Sequence, residues 1–195
     1  MMTLKFISWQ ELKKNKVGAS DIIFISPPSD LTEASQKLIE DYIAEKDSVF
    51  ESFASFKTVL STVAADLGVQ NFDADSLMND FIVELEWIIE DPVQDSAAYI
   101  EAQISAYTSL TASRLASIYL NESEQPITWI DARDVLITSD DWLDAQVDTV
   151  VSTKKAEGIL TPLPLIVANH VGCTPDNENT RLGTQVIQDF METLR

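Results

Sequence analysis

Basic residues are scarce in this chain: 13 lysines and arginines stand against 32 aspartates and glutamates, a formal net charge of −19. A surface of that sign repels nucleic-acid phosphates and anionic membranes, which argues against both as partners. Glycine is scarcer still, with five in 195 residues, at positions 18, 68, 158, 172 and 183. None forms a close pair, so there is no glycine-rich loop whose backbone N–H groups could crowd a phosphate. The single cysteine, Cys173, excludes an intrachain disulfide and fits a reducing, cytoplasmic setting. With one histidine, His170, beside it in sequence, the chain has too few soft ligands for a zinc site. No apolar run approaches the roughly 20 residues of a membrane span. The first ten residues are too polar for the core of a signal peptide.

What is present reads as one α/β domain. Ile22–Ile25 is a continuous apolar run, the pattern of a strand covered on both faces in a parallel sheet. Thr3–Ile7, Pro126–Ile130 and Leu163–Ala168 read as further strands, and Val135–Ile137 as a shorter one. Pro162 and Pro164 imply that the Leu163–Ala168 strand either starts at Pro164 or lies near a sheet edge, since proline has no N–H to give a ladder. Helical stripes run through Leu31, Leu38, Ile39 and Tyr42, then through Phe50, Phe53, Phe56, Leu60 and Leu67. A third starts at Asp73 or Asp75 and ends before Pro92. A fourth carries Ile100, Ile104, Tyr107, Leu115 and Ile118. Asp141–Lys155 and Thr184–Leu194 read as helices, and Asn169–Arg181 as a polar loop between them.

Few local motifs carry chemistry. Asp73, Asp75, Asn79 and Glu84 have part of the spacing of a calcium loop, but Met78 stands where that loop turns on glycine. His170 and Cys173 share one loop, whereas a nucleophile pair normally comes from distant segments and needs a lowered thiol pKa. Ser139–Asp141 and Asp176–Asn179 are oxygen-rich turns that read as helix caps or solvated loops. No metal site is expected.

The order of segments is more informative. The stretch from Ile127 to Asp141, with Trp129, Asp131, Arg133, Thr138 and Asp140, resembles the aspartokinase run W-[FIL]-D-[AV]-R-x-[VIL]-[VILM]-x-T-[ND]-[ND]. Ser113–Leu120 resembles the helix before it. Ile166–Gly172 and Asp176–Gly183 resemble the family's V-x-G-F-I-G and D-G-x-x-T-T-L-G. Ile23–Thr32 resembles V-V-V-S-A-M-S-G-V-T, and Thr3–Phe6 the opening of K-F-G-G-T-S. Five matches occur in the family's order.

The resemblance implies a three-layer α/β/α sandwich, the N-terminal lobe of the amino-acid kinase fold, with a helical insertion at about residues 31–120. Aspartokinases transfer the γ-phosphoryl group of Mg-ATP to the side-chain carboxylate of aspartate, chemistry that rests on positioning and charge neutralisation. Lys5 matches the family's phosphate lysine. The two glycines after its phenylalanine are replaced by Ile7 and Ser8. Thr108 and Ser109 replace the Gly-Glu that would meet the substrate ammonium. Thr184 replaces the arginine that would hold its carboxylate in a bidentate fork, and Ile187 and Gln188 replace a serine and an aspartate. Ser26, Thr32, Arg133 and Asp140 are retained as substrate-binding candidates.

The family's nucleotide-binding half and regulatory domains have no counterpart in the 195 residues. The resemblance therefore implies a non-catalytic, aspartokinase-like binding or regulatory subunit, with no cofactor. Its implied partners are a second copy, a complete aspartokinase or a small amino acid. The alternatives are an aspartate kinase using ATP and Mg with a second chain for the nucleotide, and a stand-alone amino-acid sensor.

Overall fold

The computed structural model describes residues 2–69, 81–160 and 163–194. Four strands, β1 (Thr3–Ile7), β2 (Asp21–Ile25), β3 (Thr128–Ile130) and β4 (Leu165–Ala168), form a wholly parallel sheet in the order β1-β2-β4-β3. Every residue of β2 and of β4 is buried, so both faces of the sheet are covered, as their unbroken apolar runs require. The β1–β2 register places Phe6 beside Phe24, and the rings stack with centroids 5.0 Å apart.

The helices between β2 and β3 follow the apolar stripes. Helix α1 (Ser29–Ile43) buries Leu31, Leu38, Ile39 and Tyr42. Helix α2 (Val49–Leu67) buries Val49, Phe53, Phe56, Leu60 and Val63, and ends at Gly68, whose φ of 80° gives the left-handed cap that glycine adopts without strain. Phe50, expected on that stripe, is 55% exposed instead. Val49 takes the inward position four residues before Phe53, which turns its neighbour a quarter of the way round the helix.

Helix α3 (Val83–Glu90) buries Leu85 and Ile89. The expected start of that helix, and the calcium-like Asp73, Asp75 and Asn79, lie outside the described residues. Helix α4 (Ala97–Glu122) is capped by Ser96, whose side chain accepts from the Tyr99 N–H. It packs against α1, β3 and β4. The Trp129 indole N–H of β3 reaches Ser113 Oγ of α4 at 2.9 Å. Helix α4 covers the sheet, with α1 against α4 and α2 against α1.

Four readings differ in the structure. Of the two positions the prolines allowed, the strand starts just after Pro164, as Leu165–Ala168, and it is central rather than at an edge, paired with β2 on one side and β3 on the other; the edges are β1 and β3. Pro164 precedes the first paired residue, so it removes no ladder donor, and its carbonyl accepts from Thr128 N–H. Pro162 lies outside the described residues.

Val135–Ile137 forms no strand, only an isolated bridge from Ile137 to Cys173. The segment called a loop, Asn169–Arg181, holds an antiparallel ribbon of β5 (Val171–Cys173) and β6 (Asn179–Arg181). The helix expected from Asp141 begins at Thr149, as α5 (Thr149–Ile159). Asp148 caps it by accepting from Val150 and Val151 N–H. Residues before that cap are committed elsewhere: Trp142 O accepts from Arg181 N–H, and Ala145 N–H donates to Arg181 O. Helix α6 (Thr184–Thr193) buries Ile187, Phe190 and Met191.

Candidate functional site

In a parallel sheet the carboxyl ends of the strands form the natural ligand crevice. Here β2 runs into Ser26 and β4 into Asn169, and the register pairs Ile25 with Ala168. Asn169 N–H donates to Ile25 O at 2.9 Å, locking the two loops side by side. Asn169 is 3% exposed and acts as a hub. Its Nδ2 lies 3.1 Å from Ser26 Oγ, 3.1 Å from Thr184 Oγ1 and 3.2 Å from His170 Nε2, while its Oδ1 accepts from His170 N–H. Two amide hydrogens are shared among three acceptors.

His170 has φ 68°, an uncommon backbone state for a side chain of its size. Its Nδ1 lies 3.1 Å from Leu182 O, and a carbonyl only accepts. The proton is thereby assigned to Nδ1, leaving the Nε2 lone pair turned toward Asn169 and toward Ser26, 3.5 Å away.

Over these residues sits a cavity of about 280 Å³, walled by Thr32 and Ser35 of α1, by Glu101, Thr108 and Ser109 of α4, and by Arg181 of β6. Arg181 Nη1 is 2.6 Å from Glu101 Oε1, and its Nε donates to Leu143 O. Thr108 Oγ1 lies 2.8 Å from Ser35 Oγ. The cavity thus offers one ion pair, one imidazole and several hydroxyls.

Five residues singled out from the sequence meet here: Ser26, Thr32, Thr108, Ser109 and His170 line the cavity, and Thr184 bonds Asn169 behind it. Thr32 Oγ1 also donates to Pro28 O, which accepts the Thr32 N–H as well in the first turn of α1. The others lie elsewhere. Lys5 Nζ is 2.6 Å from Asp21 Oδ2 and donates to Lys16 O at 2.8 Å. Asp21 is the first residue of β2, so this ammonium points to the end of the sheet opposite Ser26. Ile7 closes β1 and accepts from Ser26 N–H. Ser8 donates both its N–H and its hydroxyl to the Glu11 carboxylate, starting the short 3₁₀ turn Trp9–Lys14. Ile187 is buried, and Gln188 bonds Glu192 along α6. Asp140 is exposed and lines neither cavity described here.

Arg133 is held in a separate cavity. Its guanidinium grips Asp131 with Nε at 3.0 Å from Oδ1 and Nη2 at 2.7 Å from Oδ2. It lies 5.8 Å from the Phe81 ring and 5.7 Å from that of Tyr107. Glu101, Ser105, Thr108 and Ser109 form one stripe of α4, and Tyr99, Gln103 and Tyr107 another, about half a turn away at the helical period. The long helix therefore carries one cavity on each face.

Glu101, Asn169 and Arg181 were not among the candidates read from the sequence. The available signal was position: Asn169 and His170 directly follow a fully apolar strand. Cys173 does not join His170 chemically. Its Sγ donates to Arg133 O, and burial pushes the thiol up to about 11 against the pull of Arg133 and Lys155. Among the described residues no group of three or more His, Cys, Asp or Glu side chains could hold a metal ion. Nor is any described helix long and apolar enough to cross a membrane.

No protein-family pattern and no curated protein matches the sequence. Solved structures do match the fold. Escherichia coli aspartokinase III in complex with lysine and aspartate, in the T-state, aligns with a TM-score of 0.73 at 16% identity, over 95% of this chain and 44% of that one. The same enzyme in complex with aspartate and ADP, in the R-state, aligns with a TM-score of 0.73 at 15% identity, over the same shares. The Clostridium acetobutylicum aspartate kinase gives 0.69 at 12% identity, over 93% of this chain and 42% of that one. The chain has an aspartokinase-like α/β fold and spans less than half the length of these enzymes.

Proposed function

We propose that this chain, aspartokinase-like in fold, binds a small amino acid at the carboxyl ends of its sheet without transferring phosphate, and acts as a binding or regulatory unit in aspartate-family amino-acid metabolism. The observation that carries this reading is the Lys5–Asp21 ion pair at 2.6 Å. Phosphoryl transfer needs cations and backbone donors free to meet developing charge on the phosphate oxygens. The one lysine that matches the family's phosphate residue is consumed by a carboxylate and a carbonyl at the wrong end of the sheet. Beside it, Ile7 and the Ser8–Glu11 cap occupy the place of two glycines, where side chains stop the close approach that bare backbone allows.

The binding half of the proposal draws on the small polar cavity. Glu101 and Arg181, paired with each other at 2.6 Å, form an ion pair in its wall with which an amino acid's ammonium and carboxylate would exchange partners, and Ser26, Thr32 and Ser109 supply hydroxyls. The solved relatives carry aspartate in two of their complexes. The proposed partners are a second copy of this chain or a complete aspartokinase, engaged through an edge strand, β1 or β3. Light scattering of the chain alone and mixed with such an enzyme reads that association directly.

The test is a pair of assays on the same preparation. Incubation with ATP, Mg²⁺ and aspartate, with hydroxylamine as trap, should give no hydroxamate above a no-protein control. Thermal unfolding should rise with a small amino acid; a ligand at 100 times its Kd adds about 2.7 kcal/mol. Hydroxamate formation would overturn the non-catalytic reading. A melting curve indifferent to all twenty amino acids would overturn the binding reading.

A further inference from the structure

The cavity around Arg133 has no part in the proposed amino-acid site, from which it is separated by the thickness of α4. It measures about 550 Å³, nearly twice its counterpart. Three aromatic side chains line it: Trp87 from α3, and Tyr99 and Tyr107 from α4. Trp87 is 59% exposed, an indole left in water at the rim. Tyr99 is held by an edge-on contact with Trp142, with centroids 5.0 Å apart.

The charges are one-sided. Arg133 is already neutralised by the bidentate Asp131 carboxylate. The remaining lining carboxylates, Glu84, Asp91, Asp134 and Glu178, make no ion pair among the described residues. The phenols register that field. Burial first, then Glu84, pushes Tyr107 up; burial first, then Glu178, does the same to Tyr99. A cation is wanted, yet the carboxylates do not converge: among the described residues no acidic cluster could hold a metal ion. Four carboxylates lining the same cavity as three aromatic side chains suit a larger cation with charge at several points and CH₂ groups between. In such a cation ammonium groups pair with carboxylates, and the carbon chain between them packs on aromatic side chains.

We propose that the cleft between α3 and α4, lined by Trp87, Tyr99 and Tyr107 and ringed by Glu84, Asp91, Asp134 and Glu178, binds a small organic polycation of the di- or polyamine class. This stands independently of the amino-acid reading, because no residue is shared with the other cavity.

Spermidine is the probe. Isothermal titration at fixed ionic strength should give saturable binding with one site per chain. Trp87→Ala, and separately the double change Glu84→Gln with Glu178→Gln, should each weaken it by about tenfold or more. Glu101→Gln, in the other cavity, should leave it unchanged. Three results would overturn the proposal. One is no binding to the intact chain. Another is binding that survives both cleft variants. The third is binding abolished by MgCl₂ at matched ionic strength, which marks mere counter-ion gathering on a chain of net charge −19. Trp87 is exposed at the rim, so its loss leaves the core intact; should that variant fail to fold, the double carboxamide variant carries the test.

Discussion

Lys5 Nζ lies 2.6 Å from Asp21 Oδ2, joining the outer strand of the sheet to the amino end of its neighbour. Asp21 is 4% exposed and also accepts from Gly18 N–H at 2.6 Å. The lysine is thereby structural. Removing it strands a buried carboxylate, which costs more than the pair contributes. Lys5→Met should lower stability by about 1–3 kcal/mol. Adding Asp21→Asn to it should recover part of that loss. Urea unfolding of the wild type, both single variants and the double variant measures the coupling; strictly additive losses would show that the two side chains do not interact.

Asp41 should make the fold acid-sensitive. It is fully buried between α1 and α2 and accepts from Lys37, from Lys46 at 2.8 Å, from Ser52 Oγ at 2.6 Å and from Ser48 Oγ at 3.1 Å. Lys37 and then Lys46, with the Ser52 hydroxyl, hold its carboxyl well below its ordinary value of 3.8. A depressed folded-state value contributes stability that is fully present above 3.8 and is lost as pH falls below it. Asp41→Asn should therefore lower the melting midpoint by several degrees near neutral pH. The gap to wild type should close as pH drops below about 4. A gap independent of pH would mean the carboxylate charge is not what the helices are built around.

Cys173 should be chemically silent in the folded protein. With its thiol pushed up to about 11, the reactive thiolate at pH 8 is about one part in a thousand. Thiol-reactive dye should label it only in denaturant. Fast labelling of the native chain would show that the ribbon of β5 and β6 opens readily.

Gly172→Ala should be costly. A Cβ there would meet Thr138 Cγ2 at 2.6 Å, Leu182 Cδ1 at 2.9 Å and Leu136 O at 3.0 Å. Two are branched side chains packed on other segments and one is backbone, so nothing yields cheaply. A loss of about 1–3 kcal/mol is expected from thermal or urea unfolding. Gly158→Ala, whose Cβ meets nothing within 4 Å in helix α5, should be neutral or mildly stabilising.

How much of this was readable in advance follows the range of the forces. Strands β2 and β4 and the buried faces of α1, α2 and α4 were legible, because burial imprints a period on consecutive residues. The start of α5 was misread because Ser139, Asp140 and Asp141 look like a cap, while Asp148 is the residue whose side chain closes on the free N–H groups. The ribbon of β5 and β6 was missed because three-residue strands carry too short a pattern to show alternation.

By itself, the sequence determined the α/β class, the apolar elements and the likeness to aspartokinases, all of which reside in local order. Only the tertiary structure decided what the polar residues do. It seats Asn169 against Ser26, 143 positions away, and Arg181 on Glu101, 80 positions away. It turns Lys5 away from the crevice and makes β4 a central strand. Strand order and crossover are set by how distant apolar faces close on one another. A charged side chain takes whichever partner that closure leaves within reach.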